Sequence, residues 1–241
     1  MPLTSPLLRL RTGTLVAALA AGALSTLTVL PAGAVPGDAA ADGSYSYTAR
    51  LVIGDNLRAC TGALVDRNWV LTAASCFADD TAQPQALAAG APKWKTTATI
   101  GRTDLTTSVG KTTEIAELVP RADRDLVMAR LAAPVDGIAP LTLAAVAPTA
   151  GQTLRVPAYG RTGDEWAPLK LHTGAFSVDT VNPAGIGTTG TGGAAVCKGD
   201  TGAPVLREVN GKAELVAVAS RSWQGGCLGV PASETRTGAY N

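Results

Sequence analysis

The chain has 241 residues, of which 46% are hydrophobic and 16% charged, with a formal net charge of +1. This composition is too apolar for a disordered chain. The near balance of 20 basic and 19 acidic residues lacks the basic excess that a nucleic-acid partner calls for.

Near the N-terminus, Arg9 and Arg11 precede an almost uninterrupted apolar run from Leu15 to Leu30, which ends at Pro31-Ala32-Gly33-Ala34. A basic start, an apolar centre and a small-x-small site predict a secretory signal peptide over residues 1–34. A membrane anchor needs about 20 apolar residues, and Pro31 stops the run short of that length. The twin-arginine route is not indicated, because no two arginines are adjacent. Cleavage removes two arginines and so turns the net charge from +1 to −1. It places the mature protein outside the cell, with no membrane contact. Residues 35–43 then read as an N-terminal linker.

From Ser44 onward the pattern is that of short strands. Tyr45, Tyr47, Ala49, Leu51 and Ile53 alternate with more polar residues, and Gly54-Asp55-Asn56 closes the run. Further strands are predicted at Thr61–Val65, Trp69–Thr72, Thr97–Ile100, Thr113–Leu118, Leu126–Leu131, Thr153–Ala158, Leu169–Val178, Ala203–Arg207 and Leu215–Ser220. Many short, valine- and threonine-rich strands point to an all-β barrel or sandwich. Ala82–Pro92 reads as an alanine-rich surface loop or short helix, and Ala132–Pro140 as a linker between two halves. Gly185-Ile186-Gly187-Thr188-Thr189-Gly190 formally matches a dinucleotide fingerprint. It lacks the strand-turn-helix context that such a site needs, and reads as a flexible loop bordering a pocket. Trp94 and Trp166 read as packing residues in loops.

The four cysteines allow three pairings. With no Cys-x-x-Cys pair and His172 as the single histidine, a zinc site is not expected, and nothing calls for another metal or a cofactor.

Four stretches carry a family resemblance. Cys197-Lys198-Gly199-Asp200-Thr201-Gly202-Ala203-Pro204 resembles the nucleophile loop Cys-x-Gly-Asp-Ser-Gly-Gly-Pro of trypsin-like serine proteases (peptidase S1). The segment from Cys60 to Cys76, with Trp69-Val70-Leu71-Thr72-Ala73-Ala74-Ser75-Cys76, resembles the family's Trp-Val-Leu-Thr-Ala-Ala-His-Cys. Arg124-Asp125-Leu126-Val127-Met128-Ala129-Arg130-Leu131 resembles Asp-Ile-Ala-Leu-x-Arg-Leu, and Ser222-Trp223-Gln224-Gly225-Gly226-Cys227 resembles Ser-Trp-Gly-x-Gly-Cys. They occur in the family's order and span most of the chain.

The resemblance implies two antiparallel Greek-key barrels of six strands each, in a domain over 44–241, the first about 44–133 and the second about 141–241. It implies disulfides Cys60–Cys76 and Cys197–Cys227. It also implies an oxyanion hole from the Gly199 and Thr201 N–H groups, and a substrate pocket walled by Ala195, Ser222, Trp223, Gln224 and Gly226. The triad positions are Ser75, Asp125 and Thr201, two of them altered. The chain stops at Ala239-Tyr240-Asn241, where the family continues into a last strand and a C-terminal helix, so the expectation is either a truncated piece or a longer chain that leads into further C-terminal modules. No Ile-Val-Gly-Gly-like tetrapeptide precedes Tyr45 to pair with Asp200, which therefore needs another partner or leaves its loop relaxed.

These departures bear on chemistry. A hydroxyl nucleophile needs an adjacent base, and an imidazole titrating near neutrality serves because it can take the proton and return it. Ser75 can hydrogen-bond Asp125 or a water but cannot act as that base. Thr201 adds a β-branch that restricts χ1, and His172 reads as a surface or structural residue. The sequence therefore points to a secreted trypsin-like homologue, impaired or inactive, that acts by binding a peptide or protein ligand in the cleft between the barrels. The competing reading is an active endopeptidase with Thr201 as nucleophile.

Overall fold

A computed structural model describes residues 38–222 and 224–230, the backbone of 238–240, and the initial methionine. The expected signal peptide and Trp223 lie outside the described residues. In chain order the strands are β1 (Asp38–Ala39), β2 (Thr48–Ile53), β3 (Arg58–Asp66), β4 (Trp69–Thr72), β5 (Thr96–Ile100), β6 (Lys111–Pro120) and β7 (Val127–Leu131). They continue with β8 (Thr142–Leu143), β9 (Thr153–Ala158), β10 (His172–Asn182), β11 (Gly185–Thr191), β12 (Pro204–Val209), β13 (Lys212–Arg221) and β14 (Gly238–Tyr240). Among the described residues the helical elements are two single 3-10 turns, Ala74–Cys76 and Pro84–Ala86, the second inside the alanine-rich segment.

β2-β3-β4-β7-β6-β5 form a closed barrel, with β5 returning to pair β2. Strict alternation dictates it: β5 and β7 bury every second residue, as a pleated strand with one face on a core must. Leu51 lies opposite Cys60 on one side and Ala98 on the other, so its side chain points inward with Ile53, Leu64, Val70, Ile100 and Val127. Bulges at Leu64/Asp66 and Ile115/Glu117 bend the strands enough to close so small a ring.

The second sheet has eight strands. The run β10-β11-β14-β13-β12-β9 closes through the additional pairing of β9 with β10, giving a second six-stranded ring around Leu154, Val156, Phe176, Val178, Ile186, Val205 and Ala219. β1, within the segment read as a linker, pairs with the start of β10, and β8 runs parallel to β13. A third cluster, Ala63, Leu141, Leu206 and Leu215 with Tyr45 and Tyr47 against it, joins strands of both rings. The architecture is the two-barrel all-β fold that the sequence implies.

Three expectations change. Gly185–Gly190 is not a flexible loop but most of β11, where Ile186 and Thr188 alternate inward. Its glycines permit close packing, since a Cβ on Gly187 would meet Thr180 Oγ1 at 2.6 Å. The family's last strand is present as β14, which bridges β11 and β13. Tyr45 is in a turn with φ of 50°, so β2 begins only at Thr48.

Leu51 is fully buried at the centre of the first ring. Leu51→Ala is expected to lower unfolding free energy by about 2–5 kcal/mol, read from the shift of the urea midpoint at constant m-value.

Candidate functional site

The nucleophile-loop residues sit at the end of the second barrel that faces the first, and Thr61 of β3 ties them there. Its N–H donates to Thr201 O (2.9 Å) and its hydroxyl to Gly199 O (2.9 Å). The same hydroxyl accepts the Tyr159 N–H at 3.3 Å, and the Thr61 carbonyl accepts Thr72 Oγ1 at 2.7 Å. From the other side, Gly202 N–H donates to Ala219 O of β13 at 2.7 Å. Gly202 has φ of 88°, and a Cβ there would fall 2.0 Å from Thr72 Oγ1, so only glycine fits the crossing. The disulfide Cys197–Cys227 fastens the loop to the segment bearing Gln224, and Cys60–Cys76 fastens β3 to the turn bearing Ser75, as the resemblance implied.

The loop's conformation leaves the N–H groups of Gly199 and Thr201 without acceptors among the described residues. Such a pair is what an oxyanion or carbonyl oxygen needs. Gly199 reaches this geometry with φ of 99°, against Gly160, where a Cβ would touch at 2.7 Å. Beneath it Asp200, 2% exposed, accepts the Gly160 N–H at 2.8 Å and the Cys197 N–H at 2.7 Å. His172 Nε2 lies 3.5 Å from Asp200 Oδ1, while its buried Nδ1 has no partner among the described residues. His172 is therefore a buried residue under the loop rather than a surface one, and it answers what stands beside Asp200.

On the side of the first barrel, the Ser75 N–H donates to Asp125 Oδ1 (2.7 Å) and the Ser75 hydroxyl to Asp125 Oδ2 (2.9 Å). Ser220 Oγ donates to Asp125 Oδ2 at 2.6 Å. Asp125 is 3% exposed, so these bonds replace the water it has lost. Ser75 and Thr201 line one cleft of about 960 Å³, yet the Thr201 hydroxyl makes no hydrogen bond among the described residues. Ser222 and Gln224 also line this cleft. Ala195 and Gly226 do not; they pack on each other, a Cβ on Gly226 falling 3.8 Å from that of Ala195. Gln224 takes a glycine-like φ of 62°, and its side-chain oxygen accepts the Lys198 N–H at 3.2 Å, across the rim. Trp166 is not packed into a core: it is 68% exposed and stacks under Arg161, 3.5 Å from guanidinium carbon to ring centre. Trp94 does pack against the first core.

Sequence reasoning missed Thr61, Ser220 and Gly160. Each acts across a long sequence separation, as in Ser220 to Asp125 or Thr61 to Gly199, and no local motif marks them.

Thr61→Val keeps shape and removes the hydroxyl, leaving Gly199 O and the Tyr159 N–H short of a partner. It is expected to cost about 1–3 kcal/mol, measured by chemical denaturation. His172→Ala removes the side chain beside Asp200 and opens a cavity. A loss of about 2 kcal/mol is expected, with a smaller loss for His172→Gln, compared by thermal unfolding.

Comparison with curated protein sequences finds no match. Among solved structures the chain is similar to neuropsin, a serine protease expressed in the limbic system of mouse brain. The identity is 20% and the TM-score 0.65, over 85% of this chain and 92% of neuropsin. At that identity the likeness is one of fold. The sequence model of the trypsin family matches residues 34–240, and the chain belongs to that family.

Proposed function

We propose that the protein is a secreted trypsin-like protease homologue that holds a peptide or protein segment in the cleft between its barrels and does not turn it over. The observation that carries this reading is the side chain at position 75: a serine hydroxyl, here hydrogen-bonded to Asp125, is far too weakly basic to take a proton from Thr201, and no basic nitrogen hydrogen-bonds Thr201 Oγ1 among the described residues. The sole histidine lies under the loop, facing Asp200. Loss of the base from a comparable triad costs on the order of 10⁶ in turnover, about 8 kcal/mol of barrier. What remains suits binding: two N–H groups free for a carbonyl oxygen, in a cleft large enough for several residues. Export is supported by residues 1–34 and by four cysteines all paired in disulfides, which persist in oxidising compartments. We place the domain at 44–241, with Ser75, Asp125 and Thr201 at the former triad positions.

The test is labelling with a fluorophosphonate probe, together with hydrolysis of a mixed peptide library. The unmodified protein is expected to stay unlabelled and at background turnover, and Ser75→His with Thr201→Ser to gain both. Labelling at Thr201 in the unmodified protein would instead establish an active endopeptidase with a threonine nucleophile.

A further inference from the structure

The wall of the Ser75–Thr201 cleft carries five basic side chains, Arg50, Arg58, Arg161, Lys198 and Arg221, and no aspartate or glutamate. The chain as a whole is nearly neutral, with 20 basic and 19 acidic residues, so composition does not account for this asymmetry. The two carboxylates nearby, Asp125 and Asp200, lie behind the wall, each accepting hydrogen bonds from its own neighbours.

None of the five forms an ion pair among the described residues, although nine such pairs occur elsewhere. Arg161 is the most telling. It is 7% exposed, its Nη1 donates only to the Leu228 carbonyl at 3.2 Å, and its buried Nε has no acceptor among the described residues. A buried guanidinium ordinarily has a carboxylate beside it, whereas this one is held by a stack on Trp166 and one neutral acceptor. Arg58 is likewise pinned by carbonyls, Ala78 O at 2.5 Å and Cys76 O at 3.4 Å, over the face of Trp94. Burial holds the Arg50 guanidinium below its ordinary range, with Tyr159 acting the other way. The protein thus fixes several cations around a concavity and supplies them no anion, which makes the ligand the source of the missing charge.

We infer that this cleft recognises acidic peptide segments, with a main-chain carbonyl of the ligand at the Gly199 and Thr201 N–H groups and flanking aspartate or glutamate side chains against the surrounding arginines. The inference rests on the binding role proposed above and names its ligand class. The neutral pair of N–H groups at the centre of the charged wall favours a peptide. A sulfated polysaccharide would present anions at every unit and has no use for a site shaped for one carbonyl.

The test is fluorescence anisotropy of the purified, unmodified protein with labelled decapeptides of one length, rich in glutamate, in lysine or in serine. Heparin is titrated in parallel, and the peptides are recovered for mass spectrometry. The glutamate peptide is expected to bind at least about tenfold tighter than the serine peptide and to weaken as salt is raised. Lys198→Glu with Arg221→Glu, both at the exposed rim, is expected to abolish or reverse that preference while leaving the thermal unfolding temperature in place. Equal affinity for the three peptides overturns the acidic preference and leaves a binding role standing. Binding of heparin but of no peptide overturns the peptide assignment, and absence of any binding overturns both readings. Cleavage of the glutamate peptide supports the acidic preference and overturns the inactive reading, so the two fail separately.

Discussion

Thr61 is the point through which the two barrels share one site. A single residue of β3 presents its N–H, hydroxyl and carbonyl to four partners: Thr201 and Gly199 in the nucleophile loop, Tyr159 at the end of β9, and Thr72 in β4. The bonds to Thr72 and Tyr159 are buried and the hydroxyl bond to Gly199 is partly so, which leaves a group short of a partner where one is broken. The loop keeps its shape because its carbonyls are drawn toward the first barrel while its N–H groups are turned the other way, into the cleft. The resting geometry that exposes the Gly199 and Thr201 N–H groups is therefore a product of inter-barrel hydrogen bonding as much as of the loop's own glycines.

The same loop is supported from below without an imidazole anywhere in the cleft. Asp200 is satisfied by Gly160 and Cys197, with His172 alongside, and Asp125 by Ser75 and Ser220. Both buried carboxylates are thus satisfied among the described residues while the single histidine lies outside the cleft lining. That cleft is lined by basic and not by acidic side chains, which is the ground for the acidic ligand proposed above.

Much of the fold was legible in the residues. Trp69–Thr72 and Thr153–Ala158 were readable to the residue, because burial alternates through the first and over the first four residues of the second, and a turn-forming residue precedes each. β11 was not, since three glycines in seven residues look like a loop until neighbours are known to press on them. Ser75, Asp125 and Thr201 could be singled out because the motifs that carry them are local. Ser75 was foreseen beside Asp125, but Ser220 and His172 were not placed beside Asp125 and Asp200: they owe their positions to folding back across 95 and 28 residues, and neither stands in a pattern that announces it. The charge of the cleft was equally hidden, because Arg50, Arg58, Arg161, Lys198 and Arg221 are scattered along the sequence and converge only in three dimensions.

Donors on Asp125 from the described residues carry a last consequence. In a protein where that carboxylate relied on an imidazole alone, discarding the imidazole would strand a buried negative charge and the fold would register the damage. Here two serines and a main-chain amide occupy both oxygens. The burial of Asp125 is thus compensated without an imidazole, so the folding of this spot does not depend on the group that a triad would use to move protons.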